Sequence, residues 1–533
     1  MKKFLALLLS IMMVVMVPLS ASAGTTEKTA TIYLEGFGAW LGDENGNQVF
    51  PVEMDLVGGI TEVFDEMTYD LVVGKLTGDY EEYSEKMYNL FAPTFAPAKL
   101  DNNGEAVDSQ GNAFFATGSD PTTCIELSRD KYAGGYYLFH YDWRLSVEYN
   151  AELLAKFIDN VLVAAGADKV DIIGRCLGGN IISALLENAS QTTLDKIDDV
   201  VLYIPSTLGV DFIGALFSGE VVLDSYAIDN YVEYALSQNS LLVSDGSNDI
   251  FGVLTVLVNF LHETYILGFT ADEIEKIYED VKGDTLARIL RDSFATYPSF
   301  WSMVPADKVE KGIEFIFPTD ELKAEYDGLI TKIRSFHQNV QLKAEATTKR
   351  LAEEGMDIMI ISKYNYPDFP ISENAMRQSD STAITERTSF GATTSDFGSV
   401  LDTKYTDSIS AENKKYLSAD MMIDASTCLL PDTTWFIKNL YHSDFPPSVD
   451  KLIDKFISGE NVTVDTFEEY PQYLKYDKET DTLSPVTGID EGDIVSKGTV
   501  TNKLAAFMKF MTLIFNVLKK IISGELDLGS LLG

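Results

Sequence analysis

The sequence predicts an α/β protein in which a mostly parallel sheet carries helices on both faces and is interrupted by a helical insertion. Three observations lead there. A β-branched run, Val170-Asp171-Ile172-Ile173, ends in Gly174-Arg175-Cys176-Leu177-Gly178-Gly179 and passes at once into a helix-prone segment over 180–186. Ahead of it, the aromatic run 136–139 is joined to Val170 by a stretch with Leu153, Leu154, Phe157, Ile158, Val161 and Leu162 at helical spacing. That is the β-α-β unit a parallel sheet requires. From 212 to 341 the strand pattern gives way to apolar helical stretches, notably 250–260 and 271–289, before a strand-like run resumes at 357–362.

Length and charge bound what such a chain can do. Its 533 residues hold one large domain with insertions, or two to three smaller ones, and a hydrophobic content of 46% is that of a globular protein. Lys2-Lys3, an apolar stretch over 4–17 and Ala21-Ser22-Ala23 read as a secretory leader, residues 1–23, with a mature chain starting near Gly24. The apolar stretch is too short to favour a membrane anchor, and no cysteine follows it as a lipoprotein anchor needs. The expectation is a secreted or cell-surface protein of a Gram-positive-type bacterium. A net charge of −41, spread along the chain, repels nucleic acid and disfavours it as a partner. Three cysteines are too few for a disulfide scaffold, and an odd number leaves at least one thiol over. Pairing of Cys124 with Cys428, which would leave Cys176 free, and three unpaired thiols both stay open.

Taken in order, the β-rich run 29–34 leads into Glu35-Gly36-Phe37-Gly38, either a loop with a special role or a plain strand-ending turn. Asp43-Glu44-Asn45-Gly46-Asn47 and Asp101-Asn102-Asn103-Gly104 lack the spacing of calcium loops and read as surface turns. The strand at 136–139 runs into Tyr141-Asp142-Trp143-Arg144-Leu145-Ser146, where Asp142 can pair with Arg144 and Ser146 can cap the next helix. Beyond the glycine-hemmed turn, 200–204 is a further buried strand. A long polar helix over 321–354 then returns the chain to the sheet, and a last β-like run ends in a loop holding His442.

Strand, glycine-hemmed turn and helix around Cys176 describe a nucleophile elbow. They resemble the α/β-hydrolase superfamily, in the cysteine form shared with dienelactone hydrolases and polyhydroxyalkanoate synthases. Tyr141-Asp142-Trp143-Arg144-Leu145-Ser146, the loop Pro205-Ser206-Thr207-Leu208-Gly209 and the segment 297–305 resemble, more narrowly, the lecithin–cholesterol acyltransferase and lipase branch. The likeness covers roughly 29–450. It implies an α/β-hydrolase fold with core segments 24–211 and 342–450, a helical cap at 212–341, and an acidic extension at 451–533.

The resemblance also implies the order nucleophile, acid, histidine. Cys176 takes the first place. Of the four histidines, His140 precedes it, His262 lies in the cap pattern and His337 on the polar helix, which leaves His442. Asp380, in Ser379-Asp380-Ser381-Thr382, resembles the acid loop, although no glycine follows it; Asp424 is the rival and stays open. The backbone N–H groups of Phe37 and Leu177 map to the oxyanion hole. Arg175 could steady a thiolate or lie on the outside of the turn. A cysteine nucleophile forms a thioester, suited to passing an acyl group to water or to another acceptor. The implied function is an ester hydrolase or acyltransferase acting on lipid-like carboxylic esters, with no metal or organic cofactor. The alternative is a catalytically degenerate relative that binds an apolar ligand or a cell surface. The apolar helix at 504–522, with a narrow polar stripe, either docks on the protein or makes peripheral contact with a lipid surface.

Overall fold

Short runs of Ile, Val, Leu and aromatic residues, bracketed by glycine or polar residues, give strands that can be covered on both faces. The computed structural model describes residues 28–50, 77–127, 135–222, 285–459 and 462–494, with positions 70, 73–74, 226–227 and 230–231. The strands are β1 (Thr29–Leu34), β2 (Leu41–Gly42), β3 (Gln48–Phe50), β4 (Ile125–Leu127), β5 (Tyr136–Leu138), β6 (Lys169–Arg175), β7 (Ile197–Tyr203), β8 (Asp357–Tyr364), β9 (Thr393–Thr394), β10 (Ile423–Asp424), β11 (Thr434–Lys438), β12 (Tyr473–Asp477) and β13 (Thr482–Pro485).

Nine of these form one sheet in the order β13-β12-β11-β8-β7-β6-β1-β5-β4. All neighbours from β12 to β5 run parallel, and an antiparallel strand closes each edge. Period-two alternation divides the side chains between the two faces. Ile172, Val200, Leu202, Ile358 and Ile360 enter one core cluster. Ile173, Val201, Tyr203, Met359 and Ile361 enter the other.

The helices that cover the first face are the expected ones. Ser146 caps α1 (Val147–Ala165) by accepting the Tyr149 N–H at 3.2 Å, and Gly166 ends it at φ +58°. It packs on α2 (Leu177–Asn188), which leaves the elbow directly. Between β7 and β8 the described residues form helices joined by loops, including α3 (Asp211–Ser218) and α4 (Val309–Ile316), which pack together. Phe212, Phe217, Trp301 and Val309 share the core cluster of Ile32 and Ile172, so this insertion and the sheet are built on one core. The second face is covered by α7 (Pro447–Ile457), through Val449, Leu452, Ile453 and Phe456.

Two expectations are corrected. The long helix at 321–354 is divided: after a short helix at Asp320–Glu325 come α5 (Asp327–Asn339) and α6 (Ala344–Glu353). The break around Val340 turns Gln341 inward, where its amide donates to the carbonyls of Thr207 (3.2 Å) and Val304 (2.9 Å). The core does not stop at 450, because β12 and β13 complete the sheet. Leu474 is fully buried and the Tyr473 ring stacks on Phe436 at 5.4 Å. The leader, the apolar stretch 250–260, most of 271–289 and the helix expected at 504–522 lie outside the described residues. All three cysteines are free, so Cys124 and Cys428 are not paired; the Cys428 thiol is buried against the Ala425 carbonyl.

Candidate active site

Cys176 stands between β6 and α2 with φ +50° and ψ −116°. A non-glycine residue in sparsely populated backbone space costs on the order of 1–3 kcal/mol and persists only where its surroundings enforce it. The glycines supply the enforcement by letting backbones approach. A Cβ on Gly178 would stand 2.9 Å from the Leu34 carbonyl oxygen and 3.0 Å from that of Glu35. One on Gly36 would meet the Cys176 Cβ at 3.0 Å. The β1 loop therefore rests directly on the elbow.

His442 comes in from the loop after β11 and is buried. Its Nδ1 is 2.7 Å from Asp380 Oδ2, its backbone N–H donates to the Asp380 carbonyl at 3.0 Å, and its ring is hydrogen-bonded to the Cys176 thiol. Asp380 follows β8 and is itself buried. Its Oδ1 accepts the N–H groups of Thr382 (3.0 Å) and Ala383 (2.8 Å), which aim Oδ2 at the imidazole. Ser381 takes φ +83° at the position where the resembled motif carries glycine, and its N–H is held by Ser379 Oγ at 2.9 Å.

The charges of this line support one another. Burial raises the Cys176 thiol, but the charge and hydrogen bond of His442, the Arg175 guanidinium and the Leu177 N–H outweigh it and hold the thiol below its ordinary range. Burial lowers His442, and the Asp380 and Cys176 charges overcome it, raising the imidazole to about 9. Burial likewise raises Asp380, and His442 and Lys363 bring it below its usual range.

Leu177 opens α2 and its N–H lies at the sulfur. Phe37 follows Gly36 in the loop against the elbow. Its ring is clamped by Trp143 (4.3 Å between centroids), Phe300 (5.0 Å) and Phe50 (5.6 Å). Trp143 is fixed in turn by its Nε1–H to the Ala39 carbonyl at 2.8 Å. Beside it the buried Asp142–Arg144 pair closes at 2.7 Å, a structural contact as expected.

The remaining candidates lie elsewhere. Asp424 is buried on β10, accepting the Tyr405 hydroxyl and the Ser426 N–H at 2.9 Å each. His140 is half-buried after β5, and His337 pairs with Gln341 at 2.9 Å. His262 lies outside the described residues. Asp171, Asp198 and Asp199 offer oxygens within 4.8 Å of one another at the starts of β6 and β7, the opposite sheet edge from Cys176. Their geometry is that of crowded strand ends, with Lys169 on Asp198 at 3.1 Å.

Two residues near the histidine have roles that sequence reasoning did not find. Lys363, at the end of β8, is fully buried, and Tyr203, at the end of β7, is too. A lysine closing the apolar run Ile358-Met359-Ile360-Ile361 was the available signal for the first.

Strand order, the positive-φ turn between β6 and α2 and the helical insertion after β7 define an α/β-hydrolase fold. No protein-family model matches the chain, and no curated protein matches it. Among solved structures the chain is similar to the crystal structure of the Tle4-Tli4 complex, at 11% identity over 63% of this chain and 75% of that one, TM-score 0.25. It is also similar to Kex1(delta)p, a prohormone-processing carboxypeptidase from Saccharomyces cerevisiae, at 15% identity over 64% and 66%, TM-score 0.20.

Proposed function

We propose that the chain is an exported carboxylic ester hydrolase or acyltransferase in which Cys176 is the nucleophile, His442 the general base and acid, and Asp380 the group that orients His442. The observation that carries this reading is the hydrogen-bonded line from the Cys176 thiol through His442 to the buried Asp380 carboxylate. His442 holds the thiol proton, and the Cys176 thiolate attacks the ester carbonyl carbon. As the C–S bond forms, the carbonyl electron pair moves onto oxygen, where the N–H groups of Phe37 and Leu177 donate to it. The C–O bond then breaks and the leaving alkoxide takes the proton from His442, which leaves a thioester. Water or an alcohol next gives a proton to His442 and adds to the thioester. The C–S bond breaks and the thiolate–imidazolium pair returns.

An apolar substrate is supported by the half-buried Phe37 ring in the loop against the elbow, which is backed by the buried rings of Trp143 and Phe300. The leader-like pattern of Lys2-Lys3, the apolar run 4–17 and Ala21-Ser22-Ala23 supports export. The test is hydrolysis of p-nitrophenyl esters from acetate to decanoate by the purified protein and by Cys176→Ala. The reading predicts turnover that improves with acyl length and falls by about 10³-fold or more in the variant. No turnover of any ester, or equal rates in the two proteins, would overturn it; retention of the long-chain esters without turnover would put the degenerate binding reading in its place.

A further inference from the structure

The loop that carries His442 is held from below by a row of side chains from three adjacent strands. Four consecutive carbonyls, those of Tyr441, His442, Ser443 and Asp444, all accept hydrogen bonds from this row. Lys363 on β8 donates from Nζ to Tyr441 (2.8 Å), His442 (3.0 Å) and Asp444 (2.8 Å). Arg175, the last residue of β6, donates from Nη2 to Ser443 at 2.5 Å and, more weakly, to His442 at 3.4 Å. Tyr203, the last residue of β7, donates its hydroxyl to Asp444 at 2.9 Å. Register makes the row continuous, since Arg175 is opposite Tyr203 and Tyr203 opposite Ile361, two residues before Lys363. The Lys363 ammonium also stands 4.7 Å over the Tyr203 ring.

We propose that Arg175, Tyr203 and Lys363 form a clamp that positions the His442 loop, so that the imidazole meets Cys176 in one orientation. This rests on the reading of Cys176 and His442 as a working pair. An ammonium has three N–H bonds and Lys363 spends all three on carbonyls of one turn, a use that a surface lysine does not have. Arg175 adjoins Cys176 in the chain, so one residue of the clamp ties the histidine loop to the elbow itself. None of the three touches the reacting atoms in this scheme; they hold the backbone of the loop, and Arg175 and Lys363 also act by charge on Cys176 and Asp380, whereas Tyr203 acts through the loop alone. The charges that face the row are Asp380 and Asp444 from the neighbouring loops and the Cys176 thiolate. Burial pulls the Lys363 ammonium well below the usual lysine range, while the Asp380 carboxylate opposes that pull.

The test uses Lys363→Met and Tyr203→Phe in the full chain, with folding checked by circular dichroism and thermal melting. Two quantities are read: the pH dependence of Cys176 alkylation by iodoacetamide, located by peptide mass, and kcat and KM for p-nitrophenyl butyrate. Lys363→Met is expected to raise the alkylation midpoint by on the order of one pH unit and to lower kcat about tenfold with KM unchanged. Tyr203→Phe, which removes one hydroxyl, is expected to lower kcat about threefold with a smaller shift in the same direction. If Lys363→Met does not fold, Tyr203→Phe decides alone. Folded variants with the wild-type midpoint and kcat would overturn the clamp. Alkylation needs no substrate, so a wild type without esterase turnover would count against the function reading alone, while the variants' midpoints would still judge the clamp.

Discussion

At Cys176 two demands compete. Burial favours the neutral thiol, and the nucleophilic role proposed for Cys176 needs the thiolate; the His442 charge, Arg175 and the Leu177 N–H hold the thiol below its ordinary range. His442 is raised to about 9 by the Asp380 and Cys176 charges acting against its burial. These opposite shifts favour a thiolate–imidazolium pair in a window that opens at the lowered thiol pKa and closes at about pH 9. Below that window Cys176 takes a proton; above it His442 loses the one that the proposed mechanism gives to the leaving group. Asp380→Asn removes the main charge holding His442 up, so the alkaline limb of kcat/KM moves to lower pH and the rate falls by about 10²–10⁴-fold. A pH–rate profile of the variant measures both, and an unmoved alkaline limb would count against Asp380 as the orienting acid. That Cys176 and His442 come together was legible from the elbow and a count of four histidines; the choice between Asp380 and Asp424 was not, and the structure places Asp380 on His442. Lys363 was not, because its partners are backbone carbonyls, which leave no mark in a sequence.

Elements with their own periodicity or punctuation were equally legible. The elbow strand β6, its helix α2 and the capped α1 each carry an apolar repeat with a defined start. The edge pair β12 and β13 did not: Lys475, Tyr476 and Asp477 present a polar face, and an edge strand with one buried face reads as loop. The opposite end of the sheet shows a cost of crowding strands. Burial, then the neighbouring carboxylates, raise Asp171 to about 8 and Asp199 to about 9. In the unfolded chain an aspartate releases its proton near pH 4, so between about pH 4 and these values the native state holds more protons. The contribution is thus fully present at low pH and is lost as pH rises through that window. Asp199→Asn keeps the shape without the titration, so its melting temperature should fall less than the wild type's between pH 6 and pH 9. Parallel curves for the two proteins would show that Asp199 does not hold its proton in the fold.

Over the whole molecule, the insertion between β7 and β8 shares the sheet's core, which ties the apolar rings at Phe37 to the same frame that carries Cys176. A net charge of −41 is spread along the chain and disfavours nucleic acid as a partner. The family likeness drawn from Gly-x-Cys-x-Gly-Gly anticipated the sheet and the helical insertion. It could not anticipate that the sheet continues past 450, since strand pairing at the far edge is a tertiary fact. The central claim is that Cys176 carries the acyl group, and intact-mass spectrometry of the protein quenched in acid during turnover of a p-nitrophenyl ester tests it most directly. The account predicts a mass gain equal to one acyl group, mapped to Cys176, released by neutral hydroxylamine and absent in Cys176→Ala. An acyl group on a serine or another residue, or an adduct that persists in Cys176→Ala, would contradict it.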